Sequence, residues 1–416
     1  MNKALARARA HRNAIGLGAV VIGTVAWWVP FLWGPKSFVF DEIFYGNDAI
    51  ALVRHGSPIT EVVHPYGAIQ LIAVGVRVFG ANPVGLRVVP LLAGLTVVAL
   101  VTFVAFRLTA SPPAAGAAAF MTATEPLVLI GARFALLDGL AVAALVALVA
   151  ACVALPPPVA RTRTGAVFIG GLCGFAVSMK WSVVPAVVVV GVTWLRARHL
   201  DDAEGSRFRT ARRTLLVLIA GALLYLVPHA AWFQPGDHCV ESTCSAGPID
   251  GAVAFARDQW SDVLYHRDLE PRGSGVGPTW QWIVQAHGST MYESGCVAAS
   301  GREVDHCRRA ITARGNPALW LLGTLALAAQ LIAIVRRRSI ADGLCYPIAA
   351  GAALWLGALV APRPLYALVA IPIVPFLAIS LTALSFTALR HRTALFLSLT
   401  VGAVGSILTL AGQRPA

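Results

Sequence analysis

Runs of about 20 apolar residues recur along this chain, each long enough to cross a hydrocarbon core of roughly 30 Å. A helix that is apolar all round must be buried, in protein or in lipid. Eleven runs qualify, at roughly 14–34, 84–107, 114–132, 136–155, 165–180, 181–196, 214–233, 316–335, 343–361, 365–389 and 393–411. Composition points the same way. Of the 416 residues, 57% are hydrophobic and 13% charged, against about 25% charged in an ordinary soluble domain. The expectation is an all-α integral membrane protein with about eleven transmembrane helices, forming one polytopic domain over residues 1–416.

A net charge of +13 would suit a nucleic-acid binder if the basic residues formed one patch. They fall instead in short loops between spans, the positive-inside pattern, so no nucleic-acid partner is expected. With the N-terminus inside, Arg161, Arg163, the 196–213 loop, Arg336 to Arg338, Arg390 and Arg392 are all cytoplasmic. No other register of spans places every arginine cluster on one side, and the C-terminus then falls outside. The first run, Ile15 to Trp33, follows Lys3, Arg7, Arg9 and Arg12 as in a signal peptide. It is too long for that role and lacks a small-residue cleavage site, so an uncleaved anchor is expected.

Two long segments fall on the outer face. In 35–83, which holds Asp41, Glu42, Asp48, Glu61 and His64, the pattern from Ile43 to Val53 predicts a short helix lying on the membrane. Ala68 to Phe79 reads as a second such helix or a re-entrant piece. The other segment, 234–315, is polar and Gly-rich, and carries Cys239, Cys244, Cys296 and Cys307. Cysteines confined to one polar segment suggest an oxidising compartment and two disulfides. Short loop closure favours Cys239–Cys244 and Cys296–Cys307, though three pairings are open. Neither pair has zinc-ligand spacing. Cys152, Cys173 and Cys345 lie in apolar runs, where cysteine packs as a small apolar side chain.

Ionisable groups in or at a membrane cost about 2.5–3.5 kcal/mol each on insertion scales, so those present need a reason. The outer-face set is Asp41, Glu42, His64, Arg87, Arg133, Asp138 and Lys180. Asp41 and Glu42 are adjacent at the end of the first run, where one either has a raised pKa or finds a cation; capping of the next helix is the plain alternative. Arg133 and Asp138 flank a short turn and read equally as an ordinary ion pair or a functional one. Arg87 and Lys180 either snorkel to the interface or bind a lipid phosphate. These residues outline an enzyme using an anionic lipid, or a transporter site.

Phe40-Asp41-Glu42-Ile43-Phe44-Tyr45, His64-Pro65, Gly85-Leu86-Arg87-Val88-Val89-Pro90, Ala132-Arg133 with Leu136-Leu137-Asp138, and Met179-Lys180-Trp181-Ser182 occur in that order. Cys296 and Cys307, then Gly315-Asn316-Pro317-Ala318-Leu319-Trp320 and Pro372-Ile373-Val374-Pro375-Phe376, follow. This series resembles the protein O-mannosyltransferase family, particularly the actinobacterial polyprenol-phosphate-mannose–protein mannosyltransferases, over nearly the whole chain. One departure is His64-Pro65-Tyr66-Gly67-Ala68-Ile69, where the family has His-Pro-Pro-Leu-Gly-Lys.

The resemblance implies a C-type glycosyltransferase fold with eleven spans, set in the plasma membrane with the N-terminus cytoplasmic and the C-terminus extracytoplasmic. It implies transfer of mannose, with inversion, from polyprenyl-phosphate-mannose to Ser or Thr hydroxyls of secreted proteins on the outer face, near the Sec translocon. Asp41 would be the general base and Glu42 its orienting partner. Arg87, Lys180 and Arg133 would stabilise the leaving phosphate, with His64 and Asp138 beside the substrate. No metal and no cofactor beyond the lipid-linked donor is expected. The alternatives are a C-type transferase acting on a glycan or glycolipid, and a transporter, which would show inverted repeats that this sequence lacks.

Overall fold

The computed structural model describes residues 18–56, 63–200, 207–233, 239–240, 243–244, 248–270, 275–294, 309–337, 343–361 and 364–412. Glu61, Cys296 and Cys307 lie outside these, and of Cys239 and Cys244 only the backbone is described. The expected disulfides therefore fall outside the described residues as well.

In chain order the helices are α1 (Gly18–Trp33), α2 (Glu42–His55), α3 (Gly67–Phe79), α4 (Pro83–Thr109), α5 (Pro112–Ala123), α6 (Pro126–Arg133) and α7 (Leu137–Ala154). Then come α8 (Arg163–Met179), α9 (Val184–Leu200), α10 (Arg207–Leu226), α11 (Pro248–Asp268), α12 (Pro317–Arg337), α13 (Cys345–Leu359), α14 (Val374–Ala388) and α15 (His391–Gly412). Three short antiparallel pairs accompany them: β1 (Cys239–Val240) with β2 (Thr243–Cys244), β3 (Val276–Gly277) with β6 (Leu365–Tyr366), and β4 (Ser289–Ser294) with β5 (Arg309–Ala313).

Among the described residues seven helices are long and apolar enough to cross a bilayer, eight if α5 and α6 form one bent span. The protein is a multi-pass membrane protein. The expected eleven spans are reached only by adding α1, α8 and α13, which are shorter apolar helices. Both helices foreseen in the first long loop are present, as α2 and α3.

Small residues set the closest helix contact. A β-carbon on Gly174 would overlap the carbonyl of Gly221, and one on Gly170 would meet Val217. Helices in lipid gain contact by letting backbones approach in this way, and α8 and α10 pack through these glycines.

The tract read as one run at 114–132 is broken. α5 and α6 meet at a bend of 65°, because Pro126 follows Glu125 and pushes that residue out of the helical region, to ψ 119. Glu125, fully buried and absent from the sequence-based site, accepts from the backbone N–H of Asn316 at 3.1 Å and from the Trp320 indole at 3.3 Å. Asn316 also caps α12, taking the Ala318 N–H at 3.1 Å. Gln285, from the loop before β4, takes the N–H of Gly315 at 2.7 Å. The Gly315-Asn316-Pro317 motif is thus the tie between the second long loop and the helices. Glu125→Ala is expected to cost about 1–3 kcal/mol, the penalty for leaving buried donors unmet. The thermal unfolding midpoint of the solubilised protein would show it, and Glu125→Gln, which keeps an acceptor, should lose less.

Candidate active site

The chain leaves α1 and turns sharply before α2. Phe40 adopts φ +52, a left-handed conformation that few side chains take without support. Its ring packs edge-on against Tyr366 at 5.8 Å between centroids. The turn sends two successive carboxylates to different surroundings. Asp41 occupies the N-cap position of α2 yet makes no capping bond with its side chain, so the plain capping alternative does not account for it.

Glu42 is wholly buried. Its Oε1 accepts from Arg87 Nε at 2.8 Å and from the Ala135 N–H at 3.0 Å. Its Oε2 accepts from Arg87 Nη2 at 2.7 Å and from the Val39 N–H at 3.1 Å. Arg87, 1% exposed, also donates to the carbonyls of Pro35 at 2.7 Å and Ser37 at 3.2 Å. Arg133 donates to the Gly34 carbonyl at 3.1 Å and lies over the rings of Phe31 and Phe134. Glu42, expected as the partner of Asp41, and Arg87 and Arg133, expected at the leaving phosphate, fasten the 34–42 segment to α4 and to the turn after α6.

Asp138 pairs with Lys180, whose Nζ donates to Oδ2 at 2.8 Å, and not with Arg133, the ion pair the sequence had left open. Lys180 stands between α8 and the turn Trp181–Val183 in extended backbone (φ −167, ψ 140), which aims it off the helix axis. Together with Asp41, His64, Ser182, His266 and Tyr366 it lines a cavity of about 390 Å³. Apolar residues such as Pro185, Leu354 and Ile373 complete the lining. Of the seven residues picked from sequence, Asp41, His64 and Lys180 line this cavity, and Asp138 stands behind it, paired to Lys180.

Burial holds the Asp41 carboxyl above the ordinary aspartate range; Lys180 pulls it down again and Asp138 pushes it up. His64 stacks on His266 at 4.7 Å and tilts against Tyr45, and His266 Nε2–H donates to the Val63 carbonyl at 2.7 Å. Tyr66, the departure in the His64 motif, stacks on His229 and donates its N–H to Nε2 at 3.5 Å. Beside the cavity, the buried Asp138 Oδ1 and Ser182 Oγ have no hydrogen-bond partner. No group of three or more His, Cys, Asp or Glu able to hold a metal ion occurs among the described residues.

Sequence reasoning missed His266, Tyr366 and Ser182 as site residues. His266 and Tyr366 reach the cavity from more than 200 residues beyond the first motif, and only folding shows that. Ser182 was legible, as the last residue of Met179-Lys180-Trp181-Ser182.

A second hollow of about 580 Å³, lined by His199, Thr210 and Leu215 among others, contains no carboxylate and no lysine. It offers no comparable chemistry.

This arrangement of helices recurs in solved structures. The protein O-mannosyltransferase Pmt1-Pmt2 complex of S. cerevisiae bound to the sugar donor matches with a TM-score of 0.76 at 12% identity, over 96% of this chain and 89% of that chain. ArnT from Cupriavidus metallidurans in the apo state matches with 0.59 at 15% identity, over 97% and 64%. The chain has the C-type fold of the membrane glycosyltransferases.

A family model described as dolichyl-phosphate-mannose–protein mannosyltransferase matches residues 59–234. The polyprenol-phosphate-mannose–protein mannosyltransferase of Corynebacterium glutamicum is 26% identical over 403 residues, covering 82% of this chain and 76% of that protein. The protein of the same name from Mycobacterium tuberculosis is 26% identical over 340 residues, covering 70% and 64%. The chain is a glycosyltransferase and a relative of the protein O-mannosyltransferases.

Proposed function

We propose that the chain transfers mannose from polyprenyl-phosphate-mannose to Ser or Thr hydroxyls of secreted proteins. The observation that carries this reading is Asp41, held in a half-buried position in one cavity with Lys180, which pairs with Asp138, and with apolar residues in the same lining. A Ser or Thr hydroxyl is a poor nucleophile until a positioned base takes its proton. Asp41 takes that proton while the hydroxyl oxygen bonds to the anomeric carbon, and the bond from that carbon to the phosphate oxygen breaks. The departing polyprenyl phosphate needs cationic and hydrogen-bonding support rather than an acid. Lys180, Ser182 Oγ and the N-terminal end of α9 supply it. Asp138 Oδ1 is left to accept from a sugar hydroxyl, and the apolar part of the lining receives the first part of the polyprenyl chain.

A single displacement with base and leaving group on opposite sides of the carbon inverts it. No step calls on a metal. The reading puts the cavity on the extracytoplasmic face of the plasma membrane, with the N-terminus cytoplasmic and acceptors arriving from the Sec translocon. Glu42, Arg87 and Arg133 serve as positioning residues.

The test supplies vesicles bearing the full chain with radiolabelled polyprenyl-phosphate-mannose and a Ser/Thr/Pro-rich peptide. Label should appear on the peptide in the configuration opposite to the donor's. Label found only on lipid or glycan would sink the protein acceptor, and retained configuration would sink the single displacement.

A pH dependence follows from the neighbours of Asp41. Its raised pKa means that the active carboxylate is lost as pH falls, at a pH above that of an ordinary aspartate. Lys180 lowers that pKa, so Lys180→Met should move the acid limb of the kcat/KM profile to higher pH. Asp138 raises it, so Asp138→Asn should move the limb to lower pH. Profiles of both variants that coincide with the parent's would remove Asp41 as the titrating base.

A further inference from the structure

Helix α11 belongs to the second long loop, the polar part of the chain, yet it carries a row of exposed apolar side chains. Ile249 is 80% exposed, Val253 48%, Trp260 64% and Val263 44%. At about 100° per residue these four positions fall on one stripe. About a third of a turn round the helix lie the residues that meet protein. Phe255 packs against the rings of His229 and Phe233, and Gln259 accepts a hydrogen bond from the Tyr225 hydroxyl, which in turn accepts from the Trp181 indole at 3.1 Å. His266 stacks on His64. The remaining sector is polar and exposed, with Asp250, Arg257, Ser261 and Asp268.

Three sectors are one more than a helix on a water-soluble surface requires. An apolar row that includes a tryptophan, set beside a charged sector, is the pattern of a helix lying at a lipid–water boundary. Its position supports that occupant. α11 packs on the turn Val227–Phe233 that continues α10. On α10 the exposed Leu218, Leu223 and Leu224, with Val227 just beyond, belong to the lipid-facing surface of a candidate span. Arg267, the last position of the stripe, is ion-paired with Asp268 at 2.6 Å, as suits an end turned back to water.

We infer that α11 is an interfacial membrane helix: its Ile249–Val263 stripe lies in the lipid on the cavity side of the bilayer, and its inner face forms a wall of the active site. The bilayer then becomes the outer support of that wall. The contacts of Gln259 to Tyr225 and of His266 to His64 are seated by lipid from behind. This placement concerns where the helix lies and stands whether or not the transferred sugar is mannose.

The test uses the full chain in phosphatidylcholine vesicles, compared with its Trp260→Phe variant so that the difference in emission isolates Trp260. The isolated component should be blue-shifted, lose most of its intensity to lipids brominated near the headgroup end of their acyl chains, and resist aqueous iodide. Quenching by iodide without quenching by brominated lipid would place the stripe in water and overturn the inference. Resistance to both would mean that protein, such as a second copy of the chain, covers the stripe, and would overturn it equally.

Discussion

Membranes bearing the Asp41→Asn variant should transfer sugar at least about a hundredfold more slowly than membranes bearing the parent chain, the lower end of what a positioned general base contributes. Asparagine has nearly the shape of aspartate and keeps an oxygen in place, but its amide cannot take a proton from a hydroxyl. The loss should therefore fall on kcat, with the KM for donor little changed. Thermal stability should not fall, since Asp41 caps nothing with its side chain and burial already disfavours its charge. An Asn variant as active as the parent would take Asp41 out of the mechanism and leave the cavity as a binding site alone.

Arg87→Met should destabilise the protein by about 3–5 kcal/mol, the usual consequence of stranding one member of a buried ion pair. The variant leaves the Glu42 carboxylate with two backbone N–H donors and no cation, and it frees the carbonyls of Pro35 and Ser37. The Glu42→Leu, Arg87→Met double variant should regain part of that stability, because no lone charge is left behind. It should still transfer poorly, since nothing then fixes the segment that carries Asp41. The unfolding midpoints of the solubilised parent, single and double variants measure this coupling. The alternative, in which Arg87 grips the donor phosphate, predicts a raised donor KM with an unchanged unfolding midpoint, and that result would reverse the assignment.

The sequence disclosed the class of fold, because apolar runs bounded by basic loops leave few options for a chain. It also picked out short motifs that the fold brings together, with Asp41, His64 and Lys180 lining one cavity and Asp138 paired to Lys180. Roles within those motifs were less legible. Arg87 and Lys180 each stand alone in apolar surroundings and look alike in sequence, yet one is walled in by four acceptor oxygens and the other faces a cavity. Only the packing of the 34–42 segment against α4 separates them. Glu125 escaped notice because it sits in a run that reads as continuous span, and what makes it tolerable there is a backbone N–H and an indole about 190 residues away. His266 escaped because a histidine in a polar loop has no pattern of its own. Its meaning comes from the neighbour it stacks on.

The short pairing of β3 with β6 and the edge contact of Tyr366 on Phe40 set a schedule for the nascent chain. Asp41 emerges first, but its cavity waits for Tyr366 and Ile373, which follow it by more than 300 residues. At about 5–20 residues per second, the base spends tens of seconds in an unfinished hollow during each round of synthesis. A ribosome that stalls anywhere before that stretch releases a fragment able to enter the membrane but with no closed chamber around its carboxylate. Competence therefore waits on contacts made long after the base itself has been synthesised.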